Sequence, residues 1–172
     1  VSSDIDLIYV YDKSGDTRTS QADLPTQVSI SNQDFFAKQV RRIQSLLADV
    51  TEHGFVFRVD LALRPYGSEG ALAVSLPTLA QYFQRSGREW ERFAMVKARA
   101  VAGELGDIQR LDDILRPFIY RKYLDFGAID ALRDLKRSIN RELKRKGMHS
   151  DIKLGPGGIR EIEFITQAFQ LI

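Results

Sequence analysis

Ten consecutive residues set the strongest constraint on this chain. Over positions 55–64, Phe55, Phe57, Val59, Leu61 and Leu63 alternate with Val56, Arg58, Asp60, Ala62 and Arg64. Successive side chains of a strand leave on opposite faces. The spacing therefore predicts a strand with one wholly apolar face and another that carries Arg58, Asp60 and Arg64. Such a strand needs a second layer over its apolar side. A helix over 34–50 supplies a candidate, with Phe35, Val40, Ile43, Leu46 and Leu47 at helical spacing and Ser31 or Asn32 as N-cap. A further strand is expected over 4–11 and a polar loop over 12–33. Pro65-Tyr66-Gly67-Ser68 predicts a turn, with 71–74 as a short returning strand.

From Pro77 onward the pattern is helical, with helices expected at 77–86, 88–103, 107–122, 126–146 and 159–172. Gly87, Gly103, Gly147 and Gly155-Pro156-Gly157-Gly158 punctuate them. The fold class expected is α+β: a small mixed or antiparallel sheet with helices, over 1–75, followed by an α-helical bundle over 76–172 that packs on it. With 172 residues and 44% hydrophobic content, the chain can bury a core without staples. It has no cysteine, which excludes a disulfide scaffold, a cysteine-held metal and a thiol nucleophile. No apolar run is long enough to span a bilayer, so a cytoplasmic protein with no membrane partner is expected. The chain starts on a strand-like run and stops at Ile172 within an apolar helical pattern, so a piece of something longer is expected.

Charge is uneven. The 25 basic and 23 acidic residues leave a net +2, too little for a dedicated nucleic-acid binder. Residues 116–147 nevertheless hold ten Lys and Arg against four Asp and Glu. Along 126–146, Ile129, Leu132, Leu135, Ile139 and Leu143 share one side, and Arg133, Arg137, Arg141 and Lys144 another. This is a solvated face, or a surface for an acidic partner or nucleotide phosphates.

Three carboxylates carry the functional reading. Asp4 and Asp6, two apart in a strand, leave the same face roughly 6.5–7 Å apart at the backbone. Such like charges must face water or hold a cation, and an oxygen-only set suits Mg2+. Asp60 repeats the logic, with Arg58 and Arg64 beside it. Either strand alone reads as a solvent-facing polar edge. Together, if the strands are neighbours, they bring three carboxylates and two guanidiniums to one place, which suits phosphoryl or nucleotidyl transfer.

Other features leave two readings each. Lys97 lies amid the apolar arc Trp90, Phe93, Ala94, Ala98 and Val101, where it either pairs with an acid or phosphate or reaches out to water. The amides of Gly155, Gly157 and Gly158 form either an anion cradle or a plain loop. Glu161 is expected to be structural, turned inward and paired with an arginine. His53 and His149 lack a third ligand, which argues against zinc or a triad.

At this point a family resemblance emerges. Ser2-Ser3-Asp4-Ile5-Asp6-Leu7-Ile8 resembles the aspartate half of the nucleotidyltransferase signature. Arg58-Val59-Asp60-Leu61-Ala62-Leu63-Arg64-Pro65-Tyr66-Gly67 is similar to the second catalytic strand of the glutamine synthetase adenylyltransferases. Gly87-Arg88-Glu89-Trp90-Glu91-Arg92-Phe93-Ala94-Met95-Val96-Lys97-Ala98-Arg99 and Ile152-Lys153-Leu154-Gly155-Pro156-Gly157-Gly158-Ile159-Arg160-Glu161-Ile162-Glu163-Phe164 extend the likeness. Ser-Ser-Asp-Ile-Asp and Gly-Gly-Ile-Arg-Glu-Ile-Glu-Phe resemble the N-terminal, adenylyl-removing half of that bifunctional family.

The resemblance implies a nucleotidyltransferase sheet over 1–75 that lacks its upstream strand and Gly-Ser element. It implies Mg2+-dependent phosphorolysis: inorganic phosphate removes AMP from a tyrosine of adenylylated glutamine synthetase and gives ADP. Asp4, Asp6 and Asp60 would be catalytic and hold the metal. Ser3, Arg58, Arg64, Lys97, Gly157 and Gly158 would contact nucleotide or phosphate. The family adds a PII-type signal protein as regulator. The alternatives are adenylyl transfer with ATP as donor, and a non-catalytic docking module built on the basic helix.

Overall fold

A computed structural model describes residues 4–17, 29–121, 126–145, 151–153 and 155–171. In chain order the elements are β1 (Ile5–Asp6), β2 (Tyr9–Tyr11), α1 (Asn32–Ala48), β3 (Val59–Asp60), a 3-10 turn (Gly67–Glu69), β4 (Ala73–Ser75), α2 (Leu76–Arg85), α3 (Glu89–Met95), α4 (Leu105–Ile119), α5 (Phe126–Arg145) and α6 (Ile159–Gln170). The chain divides into two compact units, Val1–Tyr82 and Phe83–Ile172.

The first unit holds all the described strands, in two parallel pairs. β1 lies beside β3, with Ile5 opposite Val59 and Asp6 opposite Asp60. β2 lies beside β4, with Tyr9, Val10 and Tyr11 opposite Ala73, Val74 and Ser75. The expected mixed or antiparallel arrangement is thus corrected: 71–74 does not return along 55–64, and its strand pairs with β2. The core beneath is Tyr11, Val40, Leu61 and Ala73, joined by Leu7, Tyr9, Phe36, Val59 and Leu72. The ring of Tyr11 stacks on Phe36 with centroids 4.7 Å apart, tying β2 to α1.

The long alternating strand contracts to Val59–Asp60 for a visible reason. The amides of Val56 and Phe57 donate to the carbonyl of Leu47, at 3.1 and 2.9 Å. They cap the C-terminal end of α1, whose last carbonyls have no partner inside the helix. Residues 55–57 are thereby drawn off the sheet, and Phe55, Val56 and Phe57 are 51%, 62% and 46% exposed. Helix α1 begins as expected at Ser31, whose hydroxyl accepts from the Asp34 amide at 3.0 Å. Of its predicted apolar stripe only Val40 is fully buried, while Leu46 faces solvent.

In the second unit α3 packs on α4 and α5. The helix expected over 88–103 stops at Met95. Lys97 and Ala98 donate only three residues back, to Ala94 and Met95, and the chain then leaves the helix. Its buried face is also turned from the predicted arc: Glu91, Arg92 and Met95 are buried, whereas Trp90 is 38% exposed. Glu91 accepts from the Arg88 amide at 2.8 Å in a capping box. Arg92 holds the carbonyls of Ile119 and Leu171 at 2.7 and 3.3 Å, closing the C-terminal ends of α4 and α6 together. Gly87 allows the stacked rings of Phe83 and Phe118 to come close, because a Cβ there would lie 2.6 Å from Phe118 Cε2.

Several expectations fall outside the described residues: Ser3, Leu154, His149, residues 18–28 of the polar loop and the side chains of Ile129, Leu132, Leu135 and Lys144. Among the described residues, no helix is long and apolar enough to cross a membrane.

Candidate active site

The two strands that carry the carboxylates are neighbours. Asp6 and Asp60 face each other in register as the last residues of β1 and β3. Directly opposed residues of adjacent strands share a face, and Asp4, two residues before Asp6, belongs to the same face. In open parallel sheets ligands gather beyond the carboxyl ends of the strands, and Asp6 and Asp60 stand at that end. All three carboxylates are exposed.

Arg58 joins this group. Its Nε lies 2.6 Å from Oδ1 of Asp4, in a half-exposed ion pair. Asp60 is fixed by its own loop, since its Oδ1 accepts from the Ala62 amide at 2.7 Å. Arg64 is placed differently from Arg58. Its guanidinium donates to the carbonyls of Gly70, Leu61 and Ser68 at 3.2, 2.9 and 3.0 Å. It closes the loop that follows Asp60 and does not point at the carboxylates. A Cβ at Gly70 would collide with the Pro65 carbonyl, so the closed loop has room only for glycine there.

The remaining sequence candidates lie in the other unit. Lys97 is in a turn, half-exposed, with its ammonium 3.6 Å from Glu163. The Gly157 amide donates to Oε2 of Glu161 at 2.6 Å, and the Gly158 amide to the Gly155 carbonyl at 2.9 Å. Both glycine amides are thus engaged locally, Gly157 by the first turn of α6 and Gly158 by its own loop. Glu161 is not turned inward to an arginine: its Oε1 lies 2.8 Å from Lys136. The Lys136 ammonium first, and the Gly157 amide next, hold its carboxyl below the usual glutamate range. A depressed carboxylate stabilises the fold above the unfolded pKa and loses that contribution as pH falls through its folded value. The expected result is that Glu161→Gln lowers the melting temperature at neutral pH, and that the difference from the parent shrinks as pH falls below the usual glutamate range. A pH series of thermal melts checks this.

The donor set suits a hard cation in kind. Magnesium keeps several waters and takes one or two protein carboxylates together with substrate phosphates, which Asp6 and Asp60 can provide. Among the described residues, no group of three or more His, Asp or Glu stands close enough to hold a metal. As they lie, Asp6 and Asp60 stand opposite each other in register, and Asp4 is engaged by Arg58.

Comparison with known proteins agrees with the motifs that flank these residues. The family model for glutamate-ammonia ligase adenylyltransferase matches residues 1–114, a stretch that includes Asp4, Asp6, Arg58 and Asp60. The chain belongs to this family. A second model, GlnD PII-uridylyltransferase, matches residues 133–172. The relatives include bifunctional glutamine synthetase adenylyltransferase/adenylyl-removing enzymes of Pseudomonas syringae pv. tomato, Pseudomonas putida and Nitrosococcus oceani. They are 55%, 54% and 53% identical over 172 residues, which is 100% of this chain. The chain spans 17% of the length of each.

Proposed function

We propose that this chain carries the carboxylate face of an adenylyl-removing site with a nucleotidyltransferase-like sheet. The substrate is a glutamine synthetase tyrosine bearing AMP, and the second substrate is inorganic phosphate. One observation supports the reading above the others: Asp6 and Asp60 stand in register at the carboxyl ends of two parallel strands, inside the stretch that matches the family model.

In this reading an oxygen of hydrogen phosphate attacks the phosphorus of the tyrosyl-AMP ester. The new P–O bond makes ADP as the P–O bond to tyrosine breaks. The phenolate leaves with the bonding pair and takes up the proton released from the phosphate. Asp6 and Asp60, with Asp4 on the same face, would hold Mg2+, which supplies positive charge to the phosphoryl oxygens. Arg58 binds and orients phosphate, exchanging its carboxylate partner for phosphate oxygens of like charge. Asp60 is kept in place by its bond to the Ala62 amide. No nucleophilic side chain takes part, in keeping with a chain that has no cysteine.

The test uses a chimera in which this chain replaces the matching segment of the Pseudomonas putida relative. Adenylylated glutamine synthetase is offered with phosphate, and unmodified glutamine synthetase with ATP. The proposal expects ADP from the first mixture, with loss of that product in Arg58→Ala. Changes in this segment that abolish AMP transfer from ATP and spare ADP formation would overturn it in favour of the transferring reaction.

A further inference from the structure

Tyr66 is the only non-glycine residue with a positive φ among the described residues, at φ 63° and ψ 14°. A bulky side chain in the left-handed region is disfavoured, and glycine is the residue that such a position ordinarily selects. Burial does not offset the strain, because Tyr66 is 62% exposed. The surroundings hold it there firmly. Pro65 before it is fully buried, Arg64 before that grips three carbonyls of the same loop, and Gly70 closes against the Pro65 carbonyl. One side of the ring is braced edge-on by the buried Tyr82, with centroids 4.7 Å apart and planes at 72°. Strain held in place by its surroundings is characteristic of positions that serve binding.

The position in the chain says what the ring serves. The loop leaves the carboxyl end of β3 directly after Asp60, the end at which a parallel pair presents ligands. The Arg64 fork ties Leu61, next to Asp60, to Ser68, two residues past Tyr66. An exposed, braced aromatic face is thus tethered to the loop that follows Asp60, a carboxylate of the proposed site. A nucleotide presents its base one ribose away from its first phosphate, and an aromatic side chain accepts a base by stacking.

We propose that Tyr66 is the platform on which the base of the adenylyl group stacks. The inference rests on the adenylyl-removing reading and adds to it a residue that contacts the base. The probe is ADP, the product of that reaction, titrated by calorimetry into the chimera and its variants. Tyr66→Gly relieves the backbone, so its melting temperature should equal or exceed the parent's. ADP should bind it about tenfold more weakly, whereas Tyr66→Phe should match the parent. The KM for inorganic phosphate, which has no base, should stay constant across all three.

Unchanged ADP affinity in a folded Tyr66→Gly variant overturns the inference, as does a parent that does not bind ADP. A fall in ADP affinity together with an equal rise in the phosphate KM also overturns it, because that pattern marks general damage to the loop. A parent that binds ADP through Tyr66 but forms no ADP from adenylylated substrate overturns the reaction and leaves the base contact standing.

Discussion

Replacing Arg92 by Met should cost this protein about 3 kcal/mol of stability, the largest loss expected from any single change of similar volume. Arg92 is 3% exposed. Methionine keeps most of the aliphatic bulk, so packing loss is small. The donors, however, disappear while their acceptors stay. The Ile119 and Leu171 carbonyls, bound at 2.7 and 3.3 Å, end α4 and α6 and have no further intrahelical partner. Leaving a buried acceptor unsatisfied costs about 1–3 kcal/mol. The Glu89 carboxylate, 3.2 Å from Arg92, keeps Arg121 as a second partner, so its share of the loss is smaller. Urea unfolding should show a lower midpoint with an unchanged slope. Arg92→Lys should recover part of the loss, because an ammonium can reach one of the separated carbonyls but cannot bridge both. A loss below about 0.5 kcal/mol, the range of ordinary surface changes, would mean that the two helix ends do not depend on this guanidinium.

Asp60→Asn should reduce ADP formation by about 10²–10³-fold, the range seen when one preorganised electrostatic group is removed from a transition state. The amide is nearly isosteric, and its oxygen can still accept from the Ala62 amide, the bond that now measures 2.7 Å. The loop should therefore hold and the melting temperature change little. The loss is one of charge opposite Asp6. Asp4→Asn should be milder, because in this structure Asp4 is engaged by Arg58 at 2.6 Å and its neutralisation leaves the registered pair intact. Initial rates at saturating phosphate for the two variants check the order.

The helices were readable because 3.6-residue periodicity is local. α2, α4, α5 and α6 begin and end within about three residues of their expected bounds. α3 departs from the reading because its buried face carries Glu91 and Arg92. Both residues act as caps for backbone, and hydrophobic patterning does not register a cap formed with a distant helix end. The strands were overread for a related reason. Alternation over 55–64 marks residues able to form a strand, but the partner is chosen by the path of the chain. Here Val56 and Phe57 are taken by the Leu47 carbonyl, and β4 finds β2.

For the site, period-two spacing predicts Asp4 and Asp6 on one face, and what the structure adds is the parallel register that sets Asp6 opposite Asp60. The three grips of Arg64 were not readable, because they depend on a loop that closes only when Gly70 meets Pro65. The same closure places Tyr66 in the left-handed region, for which a tyrosine in the sequence gives no signal.

The most direct test of the account follows radiolabelled orthophosphate in the chimera and in its Asp6→Asn/Asp60→Asn double variant. The parent should move the label into the β-phosphate of ADP when given adenylylated glutamine synthetase. The double variant should form no such ADP, yet keep the adenylyl-transfer activity for which the relatives are named. Labelled ADP formed by the double variant at the parent's rate would contradict the claim that these two carboxylates carry the reaction.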